Sequence, residues 1–127
     1  MNSIGKKGIY TMEVGPEQTA LAMGSGTIEV CATPAVLACM EGAAVAALAG
    51  ELGADETTVG VHADLRHLAA TPVGGRIQAE ATLIVQEGKS YTFAITCRDD
   101  CGKIAECSHT RVKIKIEPFM QKALQRK

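Results

Sequence analysis

An excess of charge of one sign, a long apolar run in the opening stretch, metal-type cysteine spacing and a dinucleotide fingerprint are all missing from this sequence. The 13 lysines and arginines neither cluster nor outnumber the 14 acids, and the formal net charge is −1. No nucleic-acid partner is expected from that balance, because such binding needs a basic patch; an acidic small ligand would have to be met by a few local contacts. The opening stretch MNSIGKKGIYTMEV has no unbroken apolar run ending in a small-residue cleavage site, so a cytoplasmic location is expected. Five cysteines cannot all pair within one chain, and Cys97, Cys101 and Cys107 lack CxxC spacing and a matching second pair. Reduced thiols serving as small buried hydrophobes are therefore expected, in place of disulfides or a zinc site with His109. The glycines of GSG and VGG stand outside the strand, helix and acidic context of a dinucleotide site, and neither metal nor cofactor is expected.

What is present fits one domain over residues 1–127, with no repeat, low-complexity tract or linker. An apolar share of 46% with 21% charged residues is ordinary globular composition. From Cys31 to Gly50 the chain reads CATPAVLACMEGAAVAALAG, a long helix with Thr33 as expected N-cap and Pro34 in its first turn. It is apolar nearly all round, so the fold should enclose it. A membrane span is not expected, since the run is barely long enough and carries Glu41 near its centre.

After this helix the period becomes two. In TTVGVHADLRH, residues 57–67, Val59, Val61, Ala63, Leu65 and His67 are expected on one face, with His62, Asp64 and Arg66 on the other. Ile77, Ala79, Ala81, Leu83 and Val85 alternate next, EGKS turns the chain into Tyr91, Phe93, Ile95 and Cys97, and DDCGK leads to the last strand. There Val112, Ile114 and Ile116 are expected inward, opposite Arg111, Lys113 and Lys115. A short strand near Ile9 to Val14 and a helical tail after Pro118 complete the elements. The class is α+β, a long central helix wrapped by a curved antiparallel sheet of about five strands, and unpaired sheet edges make dimerisation an expectation.

Glu41 is the only charge between Cys31 and Gly50, beside Leu37, Ala38, Ala44 and Val45. Burial there would raise its pKa toward that of a general base unless a cation or donor offset it. His67 ends the inward row of its strand and faces the layer of the helix. The two residues form a candidate acid and base pair, or a structural pair that satisfies itself. Thr33 is either an ordinary N-cap or part of an oxyanion site made by free helix-start amides. A straight helix puts about 12 Å between Thr33 and Glu41, so one substrate reaches both only if side chains point inward or two protomers share the site. His62 and His109 are given no catalytic role. Small residues Ala38, Gly42, Ala43 and Ala46 suit close packing or a roomy tunnel equally.

The segment ATPAVLACME, followed by HLAATPVG at its present spacing, resembles the fluoroacetyl-CoA thioesterase-like branch of the hotdog thioesterases from Thr33 to the closing strand. The resemblance implies a hotdog fold, an acyl-CoA substrate, and a catalytic set of Thr33, Glu41 and His67. It also implies that Gly60 helps hold the hydrolytic water from the neighbouring subunit, in a homodimer or a tetramer of dimers, with CoA present only as part of the substrate. Arg111 in SHTRVKI occupies the place of a family arginine. GSGTIEVCA lacks the phenylalanines found before the threonine in the fluoroacetyl-specific member, which argues against carrying the fluorinated substrate across. Arg66, Arg76, Lys89 and Lys103 lie near strand ends or turns, where CoA phosphates could meet them. A hotdog dehydratase would need its own Asp and His motif, which is not seen. A non-catalytic binder of acyl-CoA is the alternative from another class.

Overall fold

The computed structural model describes residues 3–127. The order is β1 (Lys7–Glu13), a short 3-10 turn at Pro16–Gln18, α1 (Ala20–Met23), α2 (Thr33–Ala47), β2 (Glu56–His67), β3 (Arg76–Glu87), β4 (Ser90–Asp99), β5 (Gly102–Lys115) and α3 (Ile116–Leu124). The five strands form one antiparallel sheet in the order β1-β3-β4-β5-β2. Two turns close as their sequences predict, with Gly88 and Gly102 at positive φ after β3 and β4.

Burial of α2 against the concave face builds the core. Val36, Cys39, Met40, Ala43, Ala44 and Ala47 have no accessible surface, nor do Ile77, Ala79, Ala81 and Leu83 of β3. Phe93 and Cys97 of β4 are equally enclosed. With so few large side chains, tight approach takes the place of bulk. A Cβ on Gly8 would collide with the backbone of Ala43 and Ala47, and one on Gly42 would stand 2.8 Å from the Tyr10 ring. Gly42 and Ala43 therefore serve close packing of β1 across α2, and no tunnel runs there.

Four expectations are corrected. Ala32, with extended backbone, caps α2, so Thr33 is its first helical residue and its hydroxyl makes no cap bond. The helix is enclosed on one side only: Val45 is 52% exposed, and Pro34, Ala38 and Ala46 are also open, along the face that carries Glu41.

The inward row of β2 is not continuous either. The register against β5 shifts between Gly60 and His62, leaving Val61 as an extra residue. Ala63, Leu65 and His67 do pair with the inward residues His109, Cys107 and Ala105, but on the other side of the bulge it is Thr58 and Gly60 that face inward. Val59 and Val61 are displaced from that row, and Val61 is 58% exposed. A shift of the same size between Leu83 and Val85 likewise exposes Val85.

On β5 the parity is the reverse of the expected one: Ala105, Cys107, His109 and Arg111 point to the core, while Val112 and Ile114 are only half-buried. All five cysteines are free thiols, four buried and Cys101 exposed in the β4–β5 turn. Among the described residues no helix is long and apolar enough to cross a membrane.

Candidate functional site

The start of α2 lies beside the end of β2, the edge strand, and this brings residues 33 and 67 together. Thr33 Oγ1 and His67 Nδ1 share a hydrogen bond of 2.8 Å. The other ring nitrogen, His67 Nε2, is enclosed by protein yet has no partner, alone among buried side-chain polar atoms of the described residues. An unsatisfied buried nitrogen costs about 1–3 kcal/mol, which the fold tolerates here at the wall of a cavity. That cavity, of about 340 Å3, is bounded by α1, the loop before α2, Thr33, and the stretch from His67 to Ala70. Within α2 the first amide to bond backward is that of Val36, to the Ala32 carbonyl at 3.0 Å, and Pro34 has no amide proton. The Thr33 and Ala35 amides at the helix start are thus available to negative charge.

Glu41 has a different set of partners. Arg111 Nη1 donates to Glu41 Oε2 at 3.1 Å and to His109 Nε2 at 3.2 Å, and His109 Nε2 stands 3.5 Å from the same carboxylate oxygen. Arg111 is held from behind by Thr58, its Nε donating to Oγ1 at 2.9 Å and Nη2 to the carbonyl at 3.0 Å. A guanidinium can only donate, so His109 Nε2 must accept, and Nδ1 carries the proton it donates to the His62 carbonyl at 2.7 Å. His109 is a neutral imidazole in this arrangement. Burial is the main cause holding its pKa below the ordinary value, and Arg111 works in the same direction against the opposing pulls of the His62 carbonyl and Glu41. The short approach of His109 to Glu41 is therefore not an ion pair; Arg111 bridges the two.

Gly60 completes this second cluster. A Cβ there would stand 2.6 Å from Glu41 Oε2 and 3.1 Å from His109 Cε1, so only a hydrogen leaves the carboxylate in place. Glu41 itself is less enclosed than its sequence context implies, with 38% of its side chain exposed. Within the chain the Glu41 cluster and the Thr33–His67 pair are not joined by any hydrogen bond or ion pair among the described residues.

His109 is the residue that sequence reasoning missed, and Arg111 was marked only by the family resemblance, with no role and on the outward row. The period-two row through Ala105, Cys107, His109 and Arg111 was the available signal, and the β-branched Val112 and Ile114 on the opposite row masked it. His62 is exposed on the outer face. Of the cations near turns, Lys103 is already paired with Glu106 at 2.6 Å.

A larger hollow of about 490 Å3 lies mainly on the outer face of the sheet, where Asp64, Arg66, Glu80, Thr96, Glu106 and Ser108 line it. It is broader and more charged, but it holds neither Thr33, Glu41 nor His67. Chemistry selects the smaller cavity.

Comparison with known proteins bears on what this arrangement does. The family described as fluoroacetyl-CoA-specific thioesterase matches residues 14–117. A fluoroacetyl-CoA thioesterase from Streptantibioticus cattleyicolor is 33% identical over 98 residues, covering 77% of this chain and 70% of that protein. A crystal structure of the fluoroacetyl-CoA thioesterase superposes with a TM-score of 0.93 at 28% identity, over 100% of this chain and 98% of the other. A hot-dog-like protein from Thermanaerovibrio acidaminovorans, 22% identical, shares the fold with a TM-score of 0.85 over 97% of this chain and 91% of its own.

Proposed function

The chain belongs to the fluoroacetyl-CoA-specific thioesterase family and has its hotdog fold, and from that premise we propose that it hydrolyses an acyl-CoA thioester to free acid and CoA. The observation that carries the reading to named residues is the Thr33–His67 pair in the wall of a cavity at the start of α2, with His67 Nε2 enclosed and unsatisfied behind it.

In hydrolysis, a water oxygen bonds to the thioester carbonyl carbon, the carbon–sulfur bond breaks, and the sulfur leaves as thiolate or takes a proton. Thr33 and the helix-start amides would meet the carbonyl oxygen as negative charge develops on it. His67 is suited to moving the proton, because Thr33 holds Nδ1 and leaves Nε2 as the working atom. Glu41 would activate the water, or would attack the carbonyl itself, expelling CoA as thiolate and forming an anhydride that water then hydrolyses to the free acid and the restored carboxylate. Arg111 and Thr58 hold its carboxylate, and Gly60 leaves it room.

The open face of α2 and the unpaired edge of β2 support a homodimer. Val45 and Val61 are both more than half exposed, and burying such a face against a second copy removes apolar surface from water while pairing an edge strand. The acyl-CoA would lie along that interface, which gives the Glu41 cluster and the Thr33–His67 pair a common substrate. Nothing in the composition calls for nucleic acid or membrane, and a cytoplasmic location suits a CoA ester. CoA enters as part of the substrate, and no separate cofactor is invoked.

The test is thiol release from a panel of acyl-CoAs by wild type, Glu41→Gln and His67→Ala. Hydrolysis by wild type, reduced about 10²–10⁴-fold in each folded variant, is the expected result for loss of a general acid or base. An acyl-CoA that raises the melting temperature of wild type without being hydrolysed would instead identify a binding protein.

A further inference from the structure

The cavity beside Thr33 and His67 restricts what can occupy it. Ala20, Ile28, Val30, Leu68, Ala69 and Ala70 supply apolar side chains to its wall, and its polar side chains are Ser25, Thr33 and His67, beside backbone groups. No Asp, Glu, Lys or Arg lines it. Its volume of about 340 Å3 equals roughly ten waters at about 30 Å3 each, several times what an acetyl group fills. Ile28 and Leu68 are 63% and 55% exposed in the single chain, so large aliphatic surface at this site is left uncovered by the chain's own fold. Apolar surface left uncovered beside a reactive pair gains most from an apolar ligand that covers it.

From these features, and resting on the hydrolase reading above, the geometry points to an acyl group that is a saturated aliphatic chain longer than acetyl, uncharged at its far end. Ala69 and Ala70 set the room available to it, and Ile28 and Leu68 flank it. The alanines keep the wall shallow where any larger side chain would fill the space. A terminal carboxylate, as in succinyl-CoA, would enter a cavity that offers it no cation and would lose its hydration without replacement.

The experiment is kcat/KM for acetyl-, butyryl-, hexanoyl-, octanoyl- and succinyl-CoA with wild type and Ala70→Leu. The dissociation constants of the same esters are measured on Glu41→Gln, which reads the cavity independently of turnover. Each methylene that enters the apolar wall should raise kcat/KM and tighten binding about fourfold, so butyryl-CoA should exceed acetyl-CoA by more than about tenfold. Succinyl-CoA should fall roughly a hundredfold below butyryl-CoA. Ala70→Leu should shift the optimum toward shorter chains. A flat or falling profile from acetyl to hexanoyl, in rate or in binding, overturns the inference, as does an Ala70→Leu profile like that of wild type. Absence of turnover with every ester would refute the hydrolase reading instead, and the binding series on Glu41→Gln would still decide the nature of the cavity.

Discussion

Two polar clusters stand about two turns apart on α2, and they are completed to different degrees. Around Glu41, donors and acceptors are matched: Arg111 uses three of its nitrogens on Glu41, His109 and Thr58, and His109 uses both of its own. Around Thr33 the matching stops halfway, with one His67 nitrogen bonded and the other idle. A saturated network holds a group still, because any movement breaks several bonds together. An unsatisfied one keeps hydrogen-bonding capacity in reserve. Under the proposed function the first cluster would support the carboxylate, and the second would receive substrate.

Gly60→Ala is the sharpest way to break that contrast. Its Cβ would stand 2.6 Å from Glu41 Oε2, so the carboxylate must move while Thr33 and His67 keep their bond. Displacing a reactive group by about 1 Å can cost about 10²-fold in rate, and a loss of that size in kcat is expected, with a fall in stability no larger than that of removing Arg111. Unchanged hydrolysis would mean that the position of Glu41 does not matter to the reaction. Next in size is Arg111→Met, which keeps bulk but removes the bridge. Breaking a buried charged pair costs about 3–5 kcal/mol. Because 38% of the Glu41 side chain reaches solvent, about 2 kcal/mol is expected by denaturant titration. The Thr33–His67 pair should keep its geometry, so a loss of activity without that loss of stability would count against the supporting role.

The difference between the clusters also explains which parts were legible in the sequence. The long apolar stretch at α2, the two hairpin turns and the alternation through β3 and β4 all express local periodicity, and each element formed where its residues predict. Thr33 and His67 were legible for the same reason, because one begins the helix and the other lies on the inward row of β2 beyond the bulge. Arg111 was legible only through the family resemblance, without a role, and His109 not at all. β5 runs without interruption against β2 from Ala105 to Lys115, and its more apolar row, Val112, Ile114 and Ile116, drew the inward assignment that His109 and Arg111 hold. The bulge at Val61 lies on β2 and hid a different fact, that Thr58 and Gly60 face inward there. The open side of α2 was hidden for a related cause: composition says that a helix is apolar, but not whether its own chain or a second copy covers it.

The smallest effect concerns His109, and it follows from the neutral state that its bonds require. Burial holds its folded pKa below that of an unfolded histidine, about 6.5. Between those two values the unfolded chain binds more protons than the folded one, so stability rises with pH across that window and is lost as pH falls through it. Acidification from pH 7 should therefore lower the melting temperature before the carboxylates begin to titrate. In His109→Gln that first decline should be absent, because the amide can still meet Arg111 or the His62 carbonyl but cannot take up the proton. A wild-type profile that is flat above the carboxylate range, or a variant that retains the same early decline, would show that His109 is not held neutral. In that case Arg111 would not be the bridge between it and Glu41.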